Sequence, residues 1–339
     1  MDLLASGWQT IVGHDWAVRL LGSSIRHHRV GHAYLITGPD QIGKMTLART
    51  FTQALNCTAT DGQRPCGECR ACLLIAADRH PDVRVVLPEI SERGAQSIKI
   101  EQIRRLQQDL NLSAYEARYK VAILKRFDTA NPNAANAFLK TLEEPPSNVV
   151  LILTATDSDA LLPTINSRCR TVSLRPVPTA LIEETLMTRH HVKPETANLL
   201  AHLADGRLGW AIQASRESGL LQDRKAHLDS LHQALNGSLI ARFTLAETMS
   251  RKTETLPAIL RTWLSWWRDL ALLAFDRQAG ERLSNIDEVE LLHEMVVGFP
   301  RTRLLASLKQ TEAALRQLGQ NANARLLLEN LLLTYPRSG

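Results

Sequence analysis

Five short apolar runs punctuate the first half of the chain: HAYLIT (32–37), VRVVLP (83–88), KVAIL (120–124), NVVLILTA (148–155) and RTVSL (170–174). Each is rich in Val, Ile or Leu and bounded by polar residues, glycine or proline. Continuous apolar runs of this length read as strands buried on both faces, as in a parallel sheet. Helical spacing of apolar positions fills the gaps, in TLARTFTQAL after the first run, IKIEQIRRLQQDL before the third and NAANAFLKTLEE after it. Strand and helix in alternation predict an α/β layered domain.

The pattern then changes. The run LRPVP at 174–178 carries two prolines that restrict the backbone, which marks a linker. Beyond it only helical periodicity is found, first in ALIEETLMTRHHV and ETANLLAHLADG, then in a longer region that holds Trp263, Trp266 and Trp267 and closes with NANARLLLENLLL. Spacing of i, i+3 and i+4 puts the three tryptophans on one helix face, which reads as packing and not as a ligand cage. The expected division is an α/β domain at 1–176, a small helical unit at 177–218 and a helical region at 219–339.

Composition narrows the class without fixing it. A chain of 339 residues exceeds a usual single core, and 44% hydrophobic with 22% charged residues is ordinary for a globular protein. The sequence shows neither a membrane-spanning run nor a signal peptide, so a cytoplasmic location and no membrane partner are expected. A net charge of +5 leans only mildly toward anionic partners. Lys99, Arg104 and Arg105 on the IKIEQIRRL helix read as its solvated face, with direct nucleic-acid contact as the alternative.

Four of the five cysteines, Cys57, Cys66, Cys69 and Cys72, crowd one segment that includes PCGECRAC, while Cys169 stands apart. Four soft ligands at this spacing predict a closed, tetrahedral structural zinc site. An iron–sulfur cluster uses the same ligands, and disulfides are disfavoured in a reducing compartment. His80 in DRHPDV reads as a turn residue.

After HAYLIT comes GPDQIGKMT, which sets Gly38, Gly43 and Lys44 in the G-x-x-x-x-G-K register between a strand and a helix, the context of a phosphate loop. A working loop follows its lysine with a Ser or Thr that ligates magnesium. Here that position is Met45, a poor ligand for a hard cation, and Thr46 points about 100° further round the helix. Gln41, where a further glycine is common, is expected to limit positive φ and close backbone approach.

Further on stand FLKTLEEPP (138–146) and TINSRCRTVSL (164–174), separated by VVLILTATD. This ordered set resembles the clamp-loader branch of the AAA+ ATPases. The resemblance runs from the phosphate loop to the SRC motif and weakly into the C-terminal helices. It implies a AAA+ P-loop parallel-sheet domain with a zinc-binding insertion, a helical lid and an all-α collar that assembles a five-membered ring. The implied partners are gamma/tau- and delta-type subunits, a sliding clamp and primed DNA.

Counting from LKTLEEPP, the resemblance puts Lys125 where active subunits carry the magnesium-organising Asp and Arg126 where they carry the water-activating Glu. A lysine and an arginine can neither hold the metal nor orient the water. Asp128, three residues past the strand end, would need an irregular register to replace them. In ADGRLGWAI, Gly209 falls where a nucleotide-sensing arginine is expected. The SRC motif is kept, and the resemblance makes Arg168 a finger that reaches the ATP site of a neighbouring subunit. The expectation is therefore a non-hydrolysing ring subunit with uncertain ATP occupancy of its own loop. An ATP-hydrolysing motor subunit of the gamma type and a zinc-dependent nucleic-acid-binding protein are the competing readings.

Overall fold

A computed structural model describes residues 6–60, 63–90, 96–217, 219–319 and 322–337. Residues 61–62 of the cysteine segment and Asn321 of the last helical run lie outside them. The strands are β1 (Ala33–Thr37), β2 (Val83–Val86), β3 (Glu89–Ile90), β4 (Gln96–Ser97), β5 (Lys120–Leu124), β6 (Val149–Ala155) and β7 (Arg170–Ser173). Five form one parallel sheet in the order β2-β5-β6-β1-β7, with Leu35 of β1 opposite Leu153 of β6 and Thr171 of β7. β3 and β4 pair as a separate antiparallel ribbon that the apolar pattern does not predict.

Burial explains why the strand runs read as they do. β1, β5 and β6 are buried at every position, whereas the edge strands β2 and β7 are partly exposed. Alternate residues of the central strands feed two cores. Tyr34 and Ile36 pack with Leu47 and Phe51 of the helix Lys44–Asn56 and with Val18 and Leu21 of Asp15–Arg26. Leu35 and Leu153 pack with Ile103 and Leu106 of Ile100–Asn111 and with Phe138 of Pro132–Glu143. Each fully buried phenylalanine contributes about 1.5–3 kcal/mol, so Phe51 and Phe138 are principal anchors of the two layers.

The chain divides into two compact units, residues 1–181 with 206–209, and residues 182–205 with 210–339. The second is built around the helix Leu256–Phe275. Trp263, Trp266 and Trp267 are fully buried in its core, and Trp263 Nε1 donates to the His227 carbonyl at 2.8 Å. The tryptophan face is thus a packed core. Buried Arg242 donates to the carbonyls of Ala234, Leu332, Tyr335 and Pro336, which ties down the C-terminal segment. Within this unit His202 Nδ1 lies 2.8 Å from the Leu283 carbonyl, and Arg268 pairs with Asp205 at 3.1 Å. Among the described residues no helix is long and apolar enough to cross a membrane.

Candidate functional site

Three groups of predicted residues lie in the first unit. The first is the cysteine segment. Cys69 caps the short helix Arg70–Ala76, and its sulfur accepts the Cys72 N–H. The Cys57 sulfur accepts from the backbone N–H of Ala59 and Cys66, and the Cys66 sulfur from that of Cys69. The four ligand atoms all lie within 4.8 Å of one another, with Cys57 and Cys66 sulfurs 3.5 Å apart and Cys57 and Cys69 3.9 Å apart. A tetrahedron with metal–sulfur bonds of about 2.3 Å has edges of about 3.8 Å, so the four residues can hold one metal ion.

Electrostatics around these thiols is uneven. Burial opposes ionisation of Cys69, but the N–H groups of Thr58 and Cys72 outweigh it and hold its thiol down at about 6. Burial pushes Cys57 and Cys72 up. His80 is buried and is not one of the grouped ligands; its Nδ1 accepts the Asp82 N–H at 3.1 Å, and Cys169 is pushed up to about 12 by burial. The segment is held from a distance in sequence: Trp8 Nε1 donates to the Arg64 carbonyl at 2.9 Å and the Gly7 N–H to that of Pro65 at 3.1 Å. Nothing in the cysteine spacing foretells these contacts.

The second group is the phosphate loop, at the C-terminal end of β1. Gly38 and Gly43 take φ values of +142° and +111°, which suit glycine. Gln41 does so too, at +62°. The expectation that Gln41 limits positive φ is therefore corrected. The left-handed cost of about 1–2 kcal/mol is offset because its carbonyl accepts the Gly209 N–H at 2.8 Å. The neighbouring Ile42 carbonyl lies 3.2 Å from Nε2 of buried His14.

Lys44 does not project into open space. It is 7% exposed, donates to the carbonyls of Gly38 and Pro39, and sits 4.0 Å from the Asp40 carboxylate. Burial pushes its pKa down, Asp40 and Asp128 oppose that, and Arg126 and Lys125 add to it. Met45 packs against the core and Thr46 is exposed. Lys125 and Arg126 follow β5, and the Arg126 N–H donates to Thr154 at 2.9 Å with φ +51°. The left-handed residue leads into the turn Phe127–Thr129, where Asp128 accepts the Thr156 hydroxyl at 2.9 Å. Two cations and one displaced acid, all just past the end of β5, thus act electrostatically on Lys44 across the intervening β6.

Gly209 belongs to the same unit and closes over this loop. A β-carbon on it would lie 2.5 Å from the Gln41 carbonyl oxygen, so only glycine fits without displacement. The position where a sensing arginine is expected is instead a backbone contact.

The third group is the SRC turn. Ser167 follows the short helix Pro163–Asn166 and Cys169 packs against the core below the sheet, which fixes Arg168 from both sides. The guanidinium of Arg168 donates to the Thr164 carbonyl at 2.9 Å and pairs with Glu143 at 2.7 Å. Glu143 is part of LEEPP, yet its partnership with the SRC motif is not readable from either motif alone. Of the other basic residues, Lys99 pairs with Glu89 at 2.9 Å, and Arg104 and Arg105 are exposed.

A parallel sheet in this order, with a phosphate loop after β1, an interior strand between β6 and β7, is the AAA+ arrangement, and here cations stand at the end of β5 within electrostatic reach of the loop lysine. The family described as DNA polymerase III, delta subunit, matches residues 13–178, and its C-terminal counterpart matches residues 218–335. The DNA polymerase III subunit delta' of Pseudomonas aeruginosa is 33% identical over 93% of this chain and 94% of its own length. That of Bacillus subtilis is 28% identical over the same shares. The subunit tau of Escherichia coli is 30% identical over 64% of this chain and 34% of its own length. The chain belongs to the DNA polymerase III delta' family.

Proposed function

We propose that the chain is a non-hydrolysing subunit of a clamp loader, one that supports ATP-dependent placement of a sliding clamp on primed DNA. Its partners are gamma/tau- and delta-type subunits in a five-membered ring, and its compartment is the cytoplasm. The single observation that carries the reading is the state of Lys44. The ammonium is buried and engaged by its own loop carbonyls, beside Lys125 and Arg126, with no hydroxyl at Met45. Phosphoryl transfer needs that ammonium on the β- and γ-phosphates and a divalent ion held by oxygen ligands. Cations repel such an ion.

In this reading residues 1–176 form the AAA+ domain, 177–218 the lid and 219–339 the collar. Arg168 is the chain's chemical contribution, donated to the ATP site of an adjacent subunit, where a guanidinium can meet two oxygens of the transferring phosphoryl group. The four cysteines hold one structural zinc. Four thiolates close the shell and leave no position for a reacting water, and sulfurs packed this tightly suit a single ion better than a multi-iron cluster.

Likeness to tau over 64% of the chain favours a motor subunit as the second reading. Met45, Lys125 and Arg126 argue against it. Phosphate release by the purified chain with magnesium and ATP separates the two: no turnover is expected, and turnover abolished by Lys44→Ala overturns the proposal.

A further inference from the structure

Arg168 is not presented alone. Its Nη2 lies 2.7 Å from Oε1 of Glu143, and its Nη1 donates to the Thr164 carbonyl at 2.9 Å and toward Ser167 Oγ at 3.3 Å. A guanidinium carries five N–H donors, so Nε–H and one Nη2 proton have no acceptor among the described residues. They are the donors left for an incoming phosphate.

The placement of Glu143 is unusual for an acid. It is the last residue of the helix Pro132–Glu143, where the backbone dipole disfavours negative charge. Pro145 and Pro146 follow one residue later, after Glu144, and restrict the chain, so the helix end is a stiff mount. On the other side, Cys169 is packed into the core and the Ser167 N–H is bonded to the Pro163 carbonyl at 3.0 Å, so the Arg168 backbone is equally fixed. A pair whose side chains are 35% and 50% exposed contributes little to stability. What it does contribute is orientation: an arginine has four side-chain torsions, and an anchor on one edge leaves the remaining donors aimed in one direction.

Resting on the reading of Arg168 as a finger in trans, we propose that Glu143 is its positioning residue. The carboxylate holds one edge of the guanidinium in the free subunit and in the assembled ring, and so sets the direction in which Nε–H and the spare Nη2 proton meet a neighbour's γ-phosphate.

The test uses a reconstituted five-subunit ring in which the other fingers have been removed, so that only the site completed by this chain turns over. DNA- and clamp-stimulated ATP hydrolysis is measured for Glu143→Ala, Glu143→Gln, Arg168→Ala and the Glu143→Ala/Arg168→Ala pair. Loss of alignment is expected to lower kcat about 10- to 100-fold in Glu143→Ala with a much smaller change in KM for ATP. Glu143→Gln, which keeps an oxygen acceptor, falls less. The double variant matches Arg168→Ala alone. If Arg168→Ala is impaired but Glu143→Ala is not, or if the two losses multiply in the double variant, the positioning role is overturned and the finger stands. If Arg168→Ala leaves the rate unchanged in an intact ring, both readings fall.

Discussion

Removing one thiolate from the four-cysteine cluster is the perturbation whose outcome follows most directly from geometry. Cys72 is fully buried on the first turn of Arg70–Ala76, and all four ligand atoms fit within 4.8 Å. Binding of zinc by four thiolate or imidazole ligands in small domains yields about 10–16 kcal/mol, or roughly 3 kcal/mol for each ligand. Cys72→Ser is therefore expected to weaken zinc binding by about two orders of magnitude. The loss should be transmitted to the N-terminal turn, because Trp8 and Gly7 bond to Arg64 and Pro65 inside the same loop. Competition with a chromogenic chelator gives the affinity, metal analysis gives the stoichiometry, and amide exchange at residues 7–10 reports the transmitted change. About one zinc per chain is predicted for the wild type. A reduced, metal-free protein with the same melting curve, or a Cys72→Ser variant that keeps zinc as tightly, refutes the reasoning.

Other expectations concern the first unit. Gly209→Ala would place a β-carbon 2.5 Å from the Gln41 oxygen, so the backbone must shift at a cost of about 1–3 kcal/mol. Faster amide exchange in residues 38–44 is the predicted readout, and unchanged exchange with an unchanged melting temperature contradicts it. Asp82 is buried, yet the N–H groups of Tyr115, Glu116 and Ala117, at 2.7–2.9 Å, outweigh that burial and hold its pKa below 3.8. Its folded pKa is depressed, so its stabilisation is present above pH 3.8 and is lost as pH falls through the folded value. Asp82→Asn should cost about 2 kcal/mol near neutrality, with the gap to wild type closing below that pH. A gap that does not vary with pH argues against a charged Asp82.

Much of this was legible in the sequence, because the relevant signals are local. The five strand runs are uninterrupted since both faces of β1, β5 and β6 are covered, and the tryptophan triplet has helical spacing because one face of Leu256–Phe275 is a core. The cysteine cluster is readable because its ligands are close in sequence as well as in space. What escaped the sequence are pairings between distant segments. Nothing in ADGRLGWAI says that the Gly209 N–H meets the Gln41 carbonyl, and that bond is what stabilises a left-handed glutamine. The engagement of Lys44 by its own loop is likewise invisible to a motif whose register is intact. Asp128 is set in its turn by the left-handed Arg126, where its charge opposes the lowering of the Lys44 pKa, an irregularity that no periodicity encodes.

On the proposed function, this chain acts on ATP only at a neighbour's site, through Arg168. The decisive measurement is clamp-stimulated hydrolysis by rings built with Arg168→Ala and with Arg168→Lys, once assembly has been verified. Fingers supplied in trans contribute on the order of 10³–10⁵ in rate at the site they complete. The ring's total activity is expected to fall without vanishing, clamp loading to slow, and lysine to restore neither. Unchanged hydrolysis and loading in a fully assembled Arg168→Ala ring would contradict that role of Arg168.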